Sequence, residues 1–463
     1  MNELGIETTA IDGLLVVHLP VHTDARGWFK ENWQRAKMTA LGLPDFGPVQ
    51  QNMSHNISRG ATRGIHAEPW DKLVSLATGR IFGAWVDLRE GPSFGTVVTL
   101  ELGPETAVFV PRGVGNSYQA LEDATTYAYL VNEHWSAAAR EHYTYANLFD
   151  PALGIDWPIP ADQCELSSAD QQHPPLAEVT AMPPRRTLVV GANGQLGRAL
   201  QRHLPHAVAL GHTDLDITDA AAVAGFDFSG FDTIINAAAH TGVDLAETPD
   251  GRAAAWATNA TAVAHLAAAA RRHRLRLVHV SSDYVFDGTH EVHDETEPPT
   301  PLGVYGQSKA AGDLAAAGVE QHWVVRTSWV IGEGRNFVTT MAGLAARGIN
   351  PQVVDDQFGR LTFADDLAAG IVHLLDSGAA PGTYNLTNSG PVRSWAQLAA
   401  RIFELRGRDP GDVTPVSTET YAQGKDLAPR PRHSALSLDK ITATGFTPAA
   451  ADERLVAYLA ELP

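Results

Sequence analysis

Along the first third of the chain, apolar and polar residues alternate in short runs at 14–18, 73–76, 81–86, 96–100, 107–110 and 125–131. Turn-forming stretches such as Ala25-Arg26-Gly27, Thr78-Gly79-Arg80, Glu90-Gly91-Pro92 and Pro111-Arg112-Gly113 separate them. Short strands punctuated in this way predict an antiparallel sandwich or barrel. Beyond residue 186 the pattern changes. An apolar run at 188–190 and strand-like runs at 233–236 and 276–281 alternate with alanine-rich helical stretches such as 251–273, the order expected of a parallel α/β sheet. Between the two regions, QQHPPLAEVTAMPPRR carries two proline pairs and no periodicity, which predicts a linker over 171–186. The expectation is a multidomain chain with an all-β domain at 1–170 and an α/β domain at 187–463.

Composition narrows the partners. A chain of 463 residues exceeds one ordinary domain, and its 44% hydrophobic residues suffice for two cores. The 34 basic and 53 acidic residues leave a net charge of −19 with no basic run, so neither nucleic acid nor an anionic membrane surface is an expected partner. The single cysteine, Cys164, cannot form an intrachain disulfide and fits a reducing compartment. The N-terminal MNELGIETTAIDG has no basic segment followed by an apolar one, so no signal peptide is expected. No apolar run approaches the roughly 20 residues that span a bilayer. A soluble cytoplasmic protein is the expectation.

The strongest chemical signal is TLVVGANGQLGRAL at 187–200. A buried strand leads into Gly191, Gly194 and Gly197 and then a helix, an arrangement that presents free N–H groups to a pyrophosphate. Asn193, Gln195 and Leu196 fall within the same turn. Asp216 and Ile217 are placed to meet the adenine end of a cofactor, and Ala237, Ala238 and Ala239 follow the next strand. Gly211 and His212 occupy the usual position of an NAD-selecting acid, which leaves NADH and NADPH both open. Tyr305 and Lys309 stand at i and i+4, on one face of a helix. Lys309 is expected to lower the tyrosine pKa and hold the nicotinamide ribose, while Ser282 hydrogen-bonds the carbonyl to be reduced. A lone YxxxK is most often an ordinary helix face; beside the glycine turn and a strand-end serine it points to catalysis.

In the first domain, GATRGIHAEPWDKLVSLATG at 60–79 follows the frame of the first cupin motif. The three metal-ligand positions of that frame carry His66, Glu68 and Lys72, and Asn116 stands at the last histidine position of the second motif. An ammonium repels a cation, so no metal is expected. Arg63, Lys72 and Tyr129 near His66 point instead to acid–base chemistry on an anionic substrate.

Residues 1–170 resemble the dTDP-4-dehydrorhamnose 3,5-epimerase family, a metal-free cupin (jelly-roll) group. The resemblance rests on Asp24–Glu31 (DARGWFKE), Gln50–Ser54 (QQNMS), Arg63–His66 (RGIH), Val86–Arg89 (VDLR), Ser93–Gly95 (SFG), Asp150-Pro151 and Asp156–Pro158 (DWP). It implies His66 as general base held by Asp170, Tyr129 as acid on the opposite face of the sugar, and Lys72 near the enolate oxygen. It further implies Arg63 on phosphate, Arg26, Phe29 and Glu31 on the nucleotide, and Trp135 stacked on thymine. Gln50, Asn52 and Asn116 complete the substrate set, and a homodimer through this domain is implied. The family usually has histidine at the position of Asn116, which bears on whether both carbons are epimerised.

The second half resembles the dTDP-4-dehydrorhamnose reductases, an extended short-chain dehydrogenase group of Rossmann type. Ser281–Gly288 (SSDYVFDG), Tyr305–Lys309 (YGQSK), Val243–Glu247 (VDLAE), Arg326–Trp329 (RTSW) and Asp356–Gly359 (DQFG) carry it. Asp283, Tyr284, Trp329 and Gln357 are the implied substrate residues, and 331–463 the implied substrate lobe, with a helix over 395–406. Ser282 replaces a threonine, Leu361 replaces a proline, and Ala199 stands where some members have a magnesium-binding glutamate, so no metal is carried over. Together the halves imply epimerisation of dTDP-4-dehydro-6-deoxy-D-glucose followed by NADPH- or NADH-dependent reduction to dTDP-L-rhamnose. The alternatives are a related deoxyhexose synthase, with single-carbon epimerisation or opposite C4 stereochemistry, and a chain with one non-catalytic binding half.

Overall fold

The computed structural model describes residues 3–462 and divides the chain into two compact units, one ending at Pro184 and one beginning at Arg185. In the first unit, one antiparallel sheet runs in the order Gly5–Thr8, Leu15–His18, Thr106–Val110, Lys72–Thr78, Thr125–Val131, Gln50–Asn56. The second runs Thr144–Tyr145, Thr62–Ala67, Val114–Ala120, Ile81–Asp87, Val97–Leu102. Val74, Leu76, Val108 and Tyr127 of the first sheet meet Ile81, Trp85, Val114 and Tyr118 of the second in one apolar cluster. This is the all-β barrel that alternation predicts.

All six apolar runs become strands, and three further strands break the alternation rule: Gln50–Asn56, Thr62–Ala67 and Val114–Ala120. The less exposed positions of the first of these are Gln50, Asn52, Ser54 and Asn56, all polar. Residues 171–184, expected as a linker, pack on the barrel instead. Leu176, Val179 and Met182 join Ile65, Val86 and Leu88 in an apolar cluster, and the Met182 N–H donates to Leu88 O at 2.7 Å. The proline pairs conceal three spaced apolar residues with a surface to cover.

The second unit is built on a parallel sheet in the order Val208–Leu210, Arg186–Val190, Phe231–Asn236, Arg276–Ser282, His322–Thr327, Gly382–Asn385. The centres of its strands are apolar because helices cover the sheet: Val263, Leu266 and Ala270 pack with Leu188, Ile234 and Leu277, while Leu196, Leu200, Leu367 and Ile371 pack with Val189, Ile235 and Val325. Chain order reverses between Arg186–Val190 and Phe231–Asn236, and the crevice at such a switch point binds ligands. A smaller lobe is centred on Val338, Leu361, Ile402, Phe403 and Leu455. It is not the whole of 331–463: helix Ala364–Asp376 and strand Gly382–Asn385 belong to the main sheet layer, because Leu367, Ile371 and Tyr384 are buried in its core. The expected helix is Trp395–Leu405, started by a Ser394 side chain that accepts from Gln397 N while Gln397 accepts from Ser394 N. Among the described residues, no helix is long and apolar enough to cross a membrane.

Candidate active sites

A cavity of about 180 Å³ opens in the barrel, lined by Arg63, His66, Lys72, Asn116, Tyr127 and Tyr129 among others. His66 and Asn116 come from one sheet, Lys72 and Tyr129 from the other, so the histidine and the tyrosine line opposing walls. His66 Nε2 is 2.8 Å from Asp170 Oδ1. Burial by itself would raise the Asp170 pKa, but hydrogen bonds from His66 and Ser167 outweigh it and hold the carboxyl below its usual range. Asp170 thus stays a carboxylate that orients the imidazole. His173, from the segment expected as linker, stacks on Tyr145 at 4.7 Å and meets His66 edge-on at 5.3 Å.

Lys72 is buried and pairs with Glu68 Oε2 at 2.5 Å. Glu68 also accepts from Trp70 Nε1 at 2.9 Å, which anchors it as the lysine's counter-ion. Burial, aided by the charge of Glu68, pushes Tyr129 up to about 12, so its phenol keeps a proton to give. The Asn116 side-chain oxygen accepts from both Trp85 Nε1 at 3.0 Å and Tyr127 OH at 2.9 Å. A histidine would not accept both bonds in that geometry, which accounts physically for asparagine here.

The other implied substrate residues of this unit are not brought to the cavity. Arg26 and Phe29 lie on a separate hairpin, Val21–Asp24 with Gly27–Lys30, and Phe29 is 65% exposed. Arg26 pairs with Asp24 at 2.5 Å and Glu31 with Lys37 at 2.6 Å. Gln50 accepts from the Trp135 backbone N–H at 3.1 Å and donates to Asn52 at 2.9 Å, forming a polar cluster of its own.

The second unit holds a larger cavity of about 820 Å³ at the ends of the parallel strands. Gly191, Asn193, Gly194, Gln195, Leu196, Ile217, Ala237, Ala238, Ala239, Ser282, Asp283, Tyr284, Tyr305, Lys309 and Trp329 all line it. A β-carbon on Gly197 would lie 2.2 Å from Gly191 O, and one on Gly191 would lie 2.5 Å from Ala238 N, so the turn is closed to side chains. These cradle residues fit a dinucleotide. Gly197→Ala forces the helix off the turn; the expected cost of about 1–3 kcal/mol appears as a lower melting temperature of this unit and weaker cofactor binding by fluorescence titration.

Three expected residues fall outside this lining: Gly197, whose place is inside the turn against Gly191 O, Asp216 and Gln357. Asp216 accepts from Thr218 N and Oγ1 at 2.9 and 2.6 Å, a local turn that uses its carboxylate. Gln357 is buried and donates to Thr418 Oγ1 at 3.0 Å, tying two lobe segments together. Thr218, Thr241 and Thr258 line the cavity with no motif of their own, Val243 lines it from the VDLAE run, and Trp395 joins them with its ring stacked on Trp329 at 3.6 Å.

Ser282 Oγ donates to Asp283 Oδ1 at 2.8 Å and also hydrogen-bonds Tyr305. The expected lowering of the tyrosine pKa by Lys309 is absent: burial, only partly offset by the Ser282 hydrogen bond, pushes Tyr305 up to about 12. The Lys309 ammonium donates to Val280 O at 2.7 Å. Burial pushes Lys309 down to about 8 against the opposing pull of Asp313. Its ammonium is therefore lost as pH rises through about 8, and kcat/KM for a reaction needing it should fall above that pH. A pH–rate profile of reduction checks this, with the limb absent from Lys309→Met.

The family described as dTDP-4-dehydrorhamnose 3,5-epimerase matches residues 8–178, and that described as RmlD substrate binding domain matches 185–463. An RmlC homolog of Streptococcus pyogenes is 44% identical over 184 residues, 39% of this chain and 92% of that protein. A dTDP-4-dehydrorhamnose reductase of Mycobacterium tuberculosis is 42% identical over 275 residues, 57% of this chain and 88% of that protein. The crystal structure of a Bacillus anthracis dTDP-4-dehydrorhamnose reductase in complex with NADP aligns with a TM-score of 0.55 at 34% identity, covering 60% of this chain and all of that one.

Proposed function

Because the chain belongs to the dTDP-4-dehydrorhamnose 3,5-epimerase family in its first unit and to the RmlD substrate binding domain family in its second, we propose that it carries out two successive steps of dTDP-L-rhamnose synthesis. The first unit epimerises dTDP-4-dehydro-6-deoxy-D-glucose at C3 and C5, and the second reduces the C4 ketone of the product with NADPH or NADH. The observation that carries this reading is that each unit holds its own complete proton-transfer set, His66–Asp170 facing Tyr129 in one and Ser282, Tyr305 and Lys309 in the other.

In the barrel, His66 removes the proton beside the ketone, and Lys72 stabilises the resulting enolate oxygen. Tyr129, high enough in pKa to remain protonated, returns a proton from the opposite wall, which inverts the carbon. Arg63, fixed by its Nε bond to Asn56 at 3.1 Å, meets the diphosphate. Asn116 contacts the sugar through its amide nitrogen, its oxygen being used by Trp85 and Tyr127. The exposed Trp28, Phe29, Met53 and Ile57 support a homodimer through the barrel.

In the second unit the nicotinamide cofactor supplies hydride when bound. Ser282 turns its hydroxyl from Asp283 to the ketone, Tyr305 delivers the proton to the developing alkoxide, and Lys309 holds the cofactor ribose. Trp329 and Trp395 wall the sugar–nucleotide side. Proton NMR of the purified chain with dTDP-4-dehydro-6-deoxy-D-glucose in heavy water tests the whole reading. Deuterium enters at C3 and C5 without cofactor, and dTDP-L-rhamnose forms on adding NADPH. Exchange at one carbon would make the product a different deoxyhexose.

A further inference from the structure

Outside both cavities, three ligating side chains converge on one point of the second unit. The segment between the active-site turn Asp283–Val285 and helix Val304–Ala317 carries His290, His293 and Glu297 in H-x2-H-x3-E spacing. His290 Nδ1 lies 3.2 Å from Glu297 Oε2, and His293 Nδ1 lies 2.8 Å from the same oxygen. All three ligating atoms are within 4.8 Å of one another. Ligand atoms about 2.0–2.2 Å from one zinc ion in tetrahedral geometry stand roughly 3.3 Å apart, so little movement is needed to admit one.

The hydrogen-bonding of His293 sharpens the point. Its Nε2 faces the carbonyl oxygen of His433 at 3.1 Å, and a carbonyl only accepts, so that nitrogen carries a proton. The other nitrogen, Nδ1, points at a carboxylate oxygen, and two lone pairs at 2.8 Å require a positive centre between them, either a second proton or a metal ion. A ligating histidine with its far N–H on a backbone carbonyl is the usual way a protein fixes the metal-binding tautomer. The ring is also locked: it is fully buried and stacked on Phe286 at 4.5 Å with a 7° interplanar angle. His290 is 66% exposed and leaves the site open to solvent on one side.

We propose that His290, His293 and Glu297 form a binding site for a zinc-class divalent metal ion, with solvent completing its coordination. The site is distinct from the reaction centres and structural in effect. The backbone of His293 already joins the main sheet to the 435–437 segment, donating to Ala435 O at 2.9 Å and accepting from Ser437 N at 2.8 Å and Asn385 Nδ2 at 3.1 Å. A bound metal ties this junction to the segment that follows the catalytic turn.

The test is calorimetric titration of the chelator-stripped full chain with zinc chloride, alongside its melting curve. His290→Ala is the decisive variant because an exposed side chain can be removed without opening the core. His173→Ala controls for the other trio of ligating groups, His66, Asp170 and His173. The expected result is one zinc per chain that raises the melting temperature of the second unit. In His290→Ala the affinity is weaker by a factor of about ten or more and the thermal shift is gone, while His173→Ala behaves as the native chain. The proposal is overturned if the native chain binds no zinc, which leaves a proton as the bridge, or if His290→Ala binds as well as the native chain.

Discussion

Replacing His66 by asparagine should abolish solvent exchange at C3 and C5 of the 4-ketosugar while leaving ketone reduction intact. Asparagine keeps the size and polarity of the position but cannot take a proton. A positioned general base contributes about 10²–10⁴-fold, so a loss of about 10³-fold in exchange rate is expected. Deuterium incorporation followed by NMR reads the first step alone. Supplying an already epimerised ketone with NADPH reads the second, which should proceed at the native rate. Exchange within about threefold of native would place the base elsewhere.

The converse holds for Tyr305→Phe. The phenyl ring preserves packing against Tyr284, whose ring centroid is 5.7 Å away, but the hydroxyl that protonates the alkoxide is gone. Consumption of NADPH should fall by about 10²–10⁴-fold, with cofactor affinity retained because Lys309 and the glycine turn remain. Exchange in the barrel should continue unchanged, and the epimerised ketone should accumulate. If phenylalanine supports reduction at close to the native rate, water or Ser282 delivers the proton, and the role given to Tyr305 is wrong.

Much of this architecture is written in the period of the chain. The second unit is legible because its strands are covered on both faces and so have apolar centres, and because the glycine turn and YxxxK are local in sequence. The barrel is legible only where its strands bury apolar side chains. Gln50–Asn56, Thr62–Ala67 and Val114–Ala120 escape notice because polar residues such as Ser54, His66 and Asn116, which line the cavity, interrupt their apolar pattern. Asp170 and His66 are 104 residues apart, and no local rule joins them; the family resemblance does. The hairpin bearing Arg26 and Phe29 shows the opposite case, a strong motif whose side chains stand away from the cavity of their own chain. The YxxxK motif shows the charge beside Tyr305 but not the burial that raises its pKa.

The packing of residues 171–184 decides where this protein can be cut in two. A dissection after residue 170, where the composition changes, would remove Leu176, Val179 and Met182 from the face formed by Ile65, Val86 and Leu88. At about 25 cal/mol per Å² of apolar surface, that exposure weakens the wall carrying His66 and frees the end of the segment that holds Asp170 against it. An isolated first half made in that way would look inactive for reasons unrelated to its chemistry. A break between Pro184 and Arg185 respects both cores, and only halves made there allow the fused and separated enzymes to be compared for hand-off of the intermediate.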